Sequence, residues 1–326
     1  EYRRFLKAYI ERGYWEGFDF GATSCQPLAV EALRKCPGDI RPDVEVTSSY
    51  AGVAGEFLGH YDPVYGGFAY FAPSLYAGKG GFTSYLYVQN MGLECTSVEL
   101  WFKAQDDCLR NRICDILTLA PGESAAFDAS GCLPQGWFGS AWVRSSEPLA
   151  LAVDHVGSDV LMTYTGVPAE LNYTFNGEPL FTTGSSVAYG PLVYSEYQGW
   201  DTAIIVQNLS KVTAAKVKVY FLDRSGGIIT TVADWVCAQG AQTFFLPVIA
   251  DLPGHWVGSV RVESQDWFAA GSPGVAAPNI HAVAQLIHYS DAMRTDMQEA
   301  LAYNLFPEHL AFDWALGSGP GGTYSG

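Results

Sequence analysis

The sequence predicts an all-β protein, with two β-sandwiches in tandem after a small N-terminal segment that contains helices. Three observations support this fold class. Short runs alternate apolar and polar side chains, the chain repeats itself with a period of about 118 residues, and the composition favours strands and turns. Hydrophobic residues form 48% of the 326 residues and charged residues only 16%. A chain of this length has room for two or three domains, each with its own core.

The internal repeat is carried by four blocks that occur twice in the same order. FTSYLYVQN, which begins at Phe82, matches WDTAIIVQN, which begins at Trp200. Further along, VELWF matches VKVYF, APGESAAF matches AQGAQTFF, and GWFGSAWVRS matches HWVGSVRVES. These matches indicate a tandem duplication. We therefore expect the two repeats to superpose strand for strand, with Phe82 and Trp200 at equivalent buried positions.

Each repeat contains about seven strand-like runs. In the first repeat they lie near 73–76, 82–90, 96–102, 114–120, 124–129, 139–145 and 149–156. In the 82–90 run, Leu86 and Val88 alternate with Tyr85 and Tyr87, which is typical of a strand with one buried face. Turn signals such as Pro121-Gly122 separate the runs. Seven short strands in about a hundred residues predict an immunoglobulin-like β-sandwich, with a small β-barrel as the alternative.

The predicted boundaries follow from the repeat. We assign 1–50 to an N-terminal segment with short helices, 51–164 to repeat 1, 165–295 to a linker and repeat 2, and 296–326 to a tail leading toward a further repeat. Apolar residues between Tyr2 and Ile10 recur with helical spacing, and 27–34 predicts a second short helix. Because the chain begins at Glu1 and stops where a third repeat would begin, we expect a piece of a longer array.

The charge and the apolar runs exclude several classes of partner. The formal net charge is −16, and such an acidic chain lacks the basic footprint that nucleic acid requires. An acidic surface instead suits a secreted, soluble protein. No apolar run approaches the ~18 residues of a membrane helix, so we expect no membrane span in this chain.

The seven cysteines favour an oxidising, extracellular or cell-surface location. They include no CxxC pair, so a zinc ribbon or a thioredoxin-type site is unsupported. Cys108 and Cys114 lie in one polar loop and predict a small disulfide-closed loop. Cys95 and Cys132 are a second predicted pair, joining two strand ends.

No motif in the sequence indicates catalysis. A nucleophile elbow, a phosphate-binding loop and a zinc-protease helix are all missing, so we expect no catalytic residue, no cofactor and no metal site. Two N-x-S/T triplets, at Asn172 and Asn208, are candidate glycosylation sites in a secreted protein.

Two groups of residues are candidates for interaction. The first is an outward set of rings, Tyr85, Tyr87, Trp101 and Trp142, which could stack on sugars, dock a protein or be covered by the N-terminal segment. The second lies in the 296–326 tail, which we expect to pack on another copy of the protein or on a following repeat, possibly by adding a strand to a sheet edge. Its apolar residues are Leu301, Tyr303, Leu305, Phe312 and Trp314.

The strand pattern, the W/F-x-S/T…VQN blocks and the W-x-G-S blocks resemble the tandem immunoglobulin-like repeats of bacterial cell-surface and extracellular matrix proteins. The resemblance covers residues 73–295. It implies a non-enzymatic role in a surface layer, filament or adhesive stalk, with copies of itself, other surface proteins or glycans as partners. The alternatives are a carbohydrate-binding module and a non-catalytic region of a large secreted enzyme.

Overall fold

A computed structural model shows an all-β protein. It describes residues 14–15, 18–19, 61–62, 67–109, 112–168, 173–175, 178–181, 185–210, 213–265, 277–291, 293–294 and 296–308. The helices predicted within 1–50 lie outside these residues. The regular elements of the described part are almost all strands, together with the single-turn 3₁₀ helices Ala129–Gly131 and Leu246–Val248. No helix in this part of the chain is long and apolar enough to cross a membrane.

Nine strands form each repeat. In repeat 1 they are β1 (Gly67–Lys79), β2 (Phe82–Asn90), β3 (Thr96–Ala104), β4 (Arg112–Leu119), β5 (Ser124–Asp128), β6 (Trp137–Ser145), β7 (Leu149–Val156), β8 (Leu161–Thr165) and β9 (Val167–Pro168). In repeat 2 they are β10 (Val187–Ser195), β11 (Trp200–Asn208), β12 (Ala215–Leu222), β13 (Ile228–Val236), β14 (Ala241–Phe245), β15 (Trp256–Gln265), β16 (Ile280–Tyr289), β17 (Met297–Asn304) and β18 (Phe306–Pro307).

Three further pairings involve short strands. Tyr14–Trp15 pairs with Phe18–Asp19, Tyr61–Asp62 pairs with β1, and Tyr173–Phe175 pairs with Glu178–Phe181.

The two repeats pair their strands in the same order. A five-stranded sheet has the order β4-β3-β6-β1-β9 in repeat 1 and β13-β12-β15-β10-β18 in repeat 2. A four-stranded sheet has the order β5-β2-β7-β8 in repeat 1 and β14-β11-β16-β17 in repeat 2. In repeat 1, a short pairing of β1 with β2 joins the two sheets. The expectation that the repeats share one topology is therefore confirmed.

Two packed antiparallel sheets make each repeat a β-sandwich, but the predicted immunoglobulin-like strand order is wrong. In the immunoglobulin order, the first strand joins the second strand's sheet and the seventh joins the sixth. Here the first strand pairs with the sixth and the seventh with the second. Alternating side chains determine which face of a strand is buried but not which neighbour it pairs with, so counting strands could not separate these arrangements.

The core of each sandwich lies between its two sheets. Leu86, Leu100 and Val153 are buried in repeat 1, and Val206 and Val219 occupy comparable places in repeat 2. Phe82 is buried as predicted. Trp200 is only half-buried, because it begins β11 at the edge of the core, beside the rings of Tyr194 and His288.

Each repeat ends with two strands. Residues 161–168 form β8 and β9, and residues 297–307 form β17 and β18. Tyr164 on β8 donates its hydroxyl to the Ser74 carbonyl (2.7 Å), and Tyr303 on β17 donates to the Leu192 carbonyl (2.6 Å). These equivalent bonds tie the end of each repeat to a bulge in its first strand, where the register shifts after Ala72 and after Gly190.

The repeated Val-Gln-Asn triplet has a structural purpose. Asn90 donates its side-chain amide to the carbonyls of Glu94 and Leu119, at 2.7 and 3.1 Å, and its oxygen accepts the Gly92 N–H at 2.9 Å. Asn208 makes the same three bonds, at 2.7, 3.1 and 2.9 Å, to Thr213, Val236 and Ser210. Each buried amide thus holds the loop that follows its strand, which is why both copies keep the residue.

Replacing Asn90 or Asn208 with alanine should lower the free energy of unfolding by about 2–4 kcal/mol, because two buried carbonyls and one N–H lose their partner. Urea titration followed by circular dichroism measures this loss. Asn279→Ala, at an exposed site, is the matched control and should change stability by less than about 0.5 kcal/mol. A loss below about 1 kcal/mol in both core variants would contradict the assigned role.

Candidate interaction interface

Repeat 2 packs against repeat 1 through the outer face of its four-stranded sheet. The strand β16 shows why, since its first seven residues are all buried. Ala282 and Ala284 face the core of repeat 2, whereas Val283 packs with the core of repeat 1 and Ile287 with Phe82 of that repeat. A strand covered on both faces is apolar throughout rather than alternating. We call this contact the repeat interface.

Two apolar clusters fill the repeat interface. In the first, Leu209 of repeat 2 packs with Phe71 and Trp142 on the outer face of the five-stranded sheet of repeat 1. The second cluster joins Phe82, Val160 and Met162 of repeat 1 to Ile287, Met297, Ala300 and Ala302 of repeat 2. Both repeats therefore bury side chains that a separate sandwich would expose to water.

Among the described residues outside these clusters, four residue pairs form hydrogen bonds across the repeat interface. They run from Gln207 to the Ala141 carbonyl (3.0 Å), from Ser140 to the Gln239 carbonyl (3.0 Å), from Thr243 to Gln105 (2.7 Å) and from Asn304 to Thr165 (2.8 Å to the hydroxyl). Because side-chain bonds need a defined geometry, they set the orientation of one repeat on the other.

A buried polar cluster lies at the centre of the repeat interface. The imidazole of His155 contacts the Ser74 hydroxyl at 3.0 Å through Nε2 and the Ser84 hydroxyl at 2.7 Å through Nδ1. Gln285 of repeat 2 donates its amide to the same Ser74 hydroxyl (2.8 Å), and its oxygen accepts the Tyr76 hydroxyl (2.6 Å). A neutral imidazole, with one donor and one acceptor, satisfies both of its contacts here.

The surroundings of His155 keep the imidazole neutral. Burial lowers its pKa from the usual 6.5 to about 3. A histidine with so low a pKa is a weak general base, and both of its nitrogens are already occupied by buried hydroxyls. The cluster therefore joins Gln285 of repeat 2 to repeat 1, and both of its serines are fully buried.

A disulfide closes the repeat interface covalently and corrects both predicted cysteine pairs. Cys108, in the loop after β3, bonds to Cys237 of repeat 2, with Cα atoms 5.4 Å apart. Cys114 bonds to Cys132 within repeat 1. The predicted pairs Cys108–Cys114 and Cys95–Cys132 are therefore wrong; Cys95 is itself disulfide-bonded, but not to Cys132. Spacing along the chain favoured neighbours, whereas docking of repeat 2 brings a distant cysteine closer.

The predicted aromatic interaction face does not exist as one surface. Tyr85 and Tyr87 point outward from the four-stranded sheet of repeat 1, whereas Trp101 and Trp142 lie on the five-stranded sheet, on the opposite side of the sandwich. The two indoles stack at 5.0 Å, and Trp142 is only 5% exposed because Leu209 covers it. Tyr87 remains 41% exposed.

Three of the predicted tail residues belong to repeat 2 itself. Leu301 and Tyr303 lie on β17, and Leu305 is 2% exposed in the core of repeat 2. The strand β17 does extend a sheet, but it pairs with β16 of its own sandwich. Leu305 is therefore taken up by the core of its own repeat, whereas Leu301 remains 44% exposed. Phe312 and Trp314 lie outside the described residues.

The candidate glycosylation site at Asn208 is wrong in the folded protein. Its side chain is buried, and the nitrogen that would carry a glycan donates two hydrogen bonds to carbonyls. Asn172 lies outside the described residues.

Sequence reasoning missed the residues that matter most at the repeat interface, namely Gln207, Gln285, His155 and Cys237. The repeated triplet singled out Gln207 without indicating its partner. A signal of a strand covered on both faces was the lack of strict alternation in β16, whose first seven residues have only His281 and Gln285 as polar side chains.

The cost of His155→Gln should shrink as the pH falls. Below pH 6.5 the imidazole of His155 is protonated in the unfolded chain, whereas in the folded protein it stays neutral down to about pH 3. The wild-type protein therefore loses about 1.4 kcal/mol of stability for each unit by which the pH falls in this range. The glutamine variant lacks this pH-dependent contribution to stability. Denaturant unfolding should therefore show the two proteins drawing about 2–3 kcal/mol closer between pH 7.5 and pH 4.5. His255→Gln, in an exposed turn, is the control and should follow wild type. A pH-independent cost of His155→Gln would refute the assignment.

Removing the two disulfides should have unequal effects. Cys108–Cys237 closes a separation of 129 residues and Cys114–Cys132 one of 18, and the loop-entropy relation gives about 5 and about 3 kcal/mol. We expect the double serine variant at 108 and 237 to lose more stability than the one at 114 and 132. Thermal unfolding without reductant tests the order; the reverse order would contradict the role of the longer loop.

No protein-family model matches the chain, and no curated protein matches it. Among solved structures, Thermotoga maritima 1070 is similar over 34% of this chain and 97% of its own, with 20% identity and a TM-score of 0.27. A putative beta-galactosidase from Bacteroides fragilis is similar over 72% of this chain and 32% of its own, with 10% identity and a TM-score of 0.17. For a beta-glucuronidase from glycoside hydrolase family 2 these values are 73%, 23%, 6% and 0.18. This chain thus spans no more than a third of either glycosidase.

Proposed function

We propose that the chain is a non-enzymatic structural protein of an extracellular assembly, such as a surface layer, a filament or an adhesive stalk. The observation that carries this proposal is the repeat interface. It joins two copies of one fold through different faces, with apolar burial, hydrogen bonds and a disulfide. Such a contact suits a protein whose work is to hold a fixed geometry.

The polar part of the repeat interface supports a role in which the two repeats keep one fixed arrangement. The side chains of Ser74, His155 and Gln285 are buried, and each has a hydrogen-bond partner. A satisfied buried network favours one orientation of the two repeats, because any sliding would leave polar groups without partners. Together with the disulfide, this network favours one fixed arrangement of the two sandwiches.

The disulfides support an extracellular location. Cys108–Cys237 and Cys114–Cys132 are structural bonds of the kind that persists in oxidising compartments and is rare in the cytosol. The net charge of −16 suits a surface exposed to solvent outside the cell.

The geometry of the described residues gives less support to two other functions, catalysis and carbohydrate binding. Among the described residues, the contact of His155 with Ser74 and Ser84 comes nearest to a nucleophile and base, but it is sealed inside the repeat interface. Carbohydrate binding loses the four-ring platform on which it rested, because Trp142 is covered and the tyrosines lie on the other sheet. A role in assembly requires neither an accessible nucleophile nor an aromatic platform.

Electron microscopy of the native material tests this proposal. We expect a lattice, fibre or stalk with an axial repeat, and purified chain that associates as its concentration rises in sedimentation experiments. Dispersed single particles in the native material, together with an activity that maps to another part of a longer parent chain, would instead identify a non-catalytic region of an enzyme.

A further inference from the structure

The two repeats have the same fold but different neighbours. In repeat 1, the bulge residues Pro73 and Ser74 are buried beneath repeat 2. The same bulge in repeat 2 consists of Pro191 and Leu192; both are exposed, and Leu192 is 41% accessible. A surface that repeat 1 uses for docking is thus left open on repeat 2.

The open surface extends over the outer face of the five-stranded sheet of repeat 2. By strand register, Tyr189 replaces Phe71 and Arg261 replaces Trp142. Tyr220, in place of Trp101, lies beneath both Arg261 and Lys218, at 4.6 and 4.7 Å from its ring centre. These side chains are partly exposed, and no described residue of another repeat packs on them as Leu209 does on Trp142. We call this surface the five-stranded face.

Repeat 1 carries a counterpart to the surface that repeat 2 uses for docking. Repeat 2 docks with the outer face of its four-stranded sheet, where Ile205, Gln207 and Ile287 are located. The equivalent positions in repeat 1 hold Tyr87, Gln89 and Val156, and both Tyr87 and Val156 are exposed. We call this surface the four-stranded face.

Gln89 of repeat 1 makes the same local hydrogen bond as Gln207 of repeat 2. Gln207 donates both to the carbonyl of Gln239 in its own turn (3.2 Å) and across the interface to the Ala141 carbonyl (3.0 Å). Gln89 makes the equivalent bond to its own turn, at the Gly122 carbonyl (3.0 Å). The second proton of its amide is then available for a carbonyl at the place of Ala141, which in repeat 2 is Val260.

The two faces differ in their charged residues. Asp128 and Asp154 flank Tyr85 on the four-stranded face of repeat 1. Lys218 and Arg261 lie on the five-stranded face of repeat 2, although Glu263 pairs with the arginine. Glu308, which is hydrogen-bonded to Tyr189, lies beside them, so much of this positive charge is balanced on its own face.

We propose that the five-stranded face of repeat 2 binds the four-stranded face of repeat 1 in a second copy of this chain, which repeats the geometry of the repeat interface between molecules. The proposal rests on the proposed function and specifies its contact. Because the two faces differ, a bound pair still presents one open face of each kind, one on each copy. Such a heterologous contact builds a filament, or a ring if the rotation closes.

Two single variants test this contact by sedimentation velocity on the full chain. Tyr87→Glu introduces a carboxylate into the four-stranded face, and Leu192→Glu introduces one into the five-stranded face. Each should weaken association by about tenfold or more, because an unpaired charge is costly to bury. Val248→Glu, at a site that is 77% exposed and lies on neither face, is the matched control and should associate like wild type. Melting temperatures verify that all variants fold.

Mixing the two variants gives the decisive result. The Tyr87→Glu protein keeps an intact five-stranded face, and the Leu192→Glu protein keeps an intact four-stranded face. An equimolar mixture should therefore form a 1:1 dimer of 35.4 kDa chains and grow no further.

The remaining outcomes separate this inference from the proposed function. Wild-type-like association of either variant, or a mixture that stays monomeric, would overturn the inference while leaving assembly through other faces intact. A wild-type chain that stays monomeric at every concentration, from native material without order, would overturn both.

Discussion

Burial of the outer face of the four-stranded sheet of repeat 2 is the constraint on which the rest of the structure depends. It turns two sandwiches into one continuous body, in which β16 lies between two cores and has no solvent-facing side. Once that face is covered, polar groups within the contact need partners, and the buried hydroxyls, imidazole and amides around Gln285 satisfy one another. The disulfide at Cys237 then holds together surfaces that already fit.

Duplication created two identical folds, and their neighbours have made them chemically different. At the bulge, repeat 1 has a small polar residue, Ser74, where a buried amide must be received, whereas repeat 2 has Leu192 facing solvent. Opposite the bulge, His155 in repeat 1 corresponds by register to Leu286 in repeat 2, which is an ordinary core residue. The histidine contacts serines of its own repeat, and one of them, Ser74, links it to Gln285 of repeat 2.

Features local to one repeat could be predicted from the sequence, and features that depend on both could not. Alternation in β2 and β3 identified the buried rows, because a strand with one covered face writes that periodicity directly. Trp142 and Asn208 were assigned to the surface because their own strands offer nothing to cover them. Leu209 covers the first and a local loop surrounds the second. The partner of Cys108 is 129 residues away, a distance at which spacing along the chain carries no geometric information. Strand order failed for a related reason, since period-two patterns are the same for either neighbour.

The cystine between Cys108 and Cys237 also changes how the chain would respond to being pulled. Tension applied at the two ends passes through this bond and bypasses the 129-residue stretch between its cysteines. The 18 residues that Cys114–Cys132 encloses stay closed, and the other residues of the stretch, about 111, would otherwise supply roughly 370–400 Å of extra length when drawn out fully. While the bond is intact, this length cannot be extended, and a filament of such molecules lengthens little under tension. Reduction of a single bond would release it.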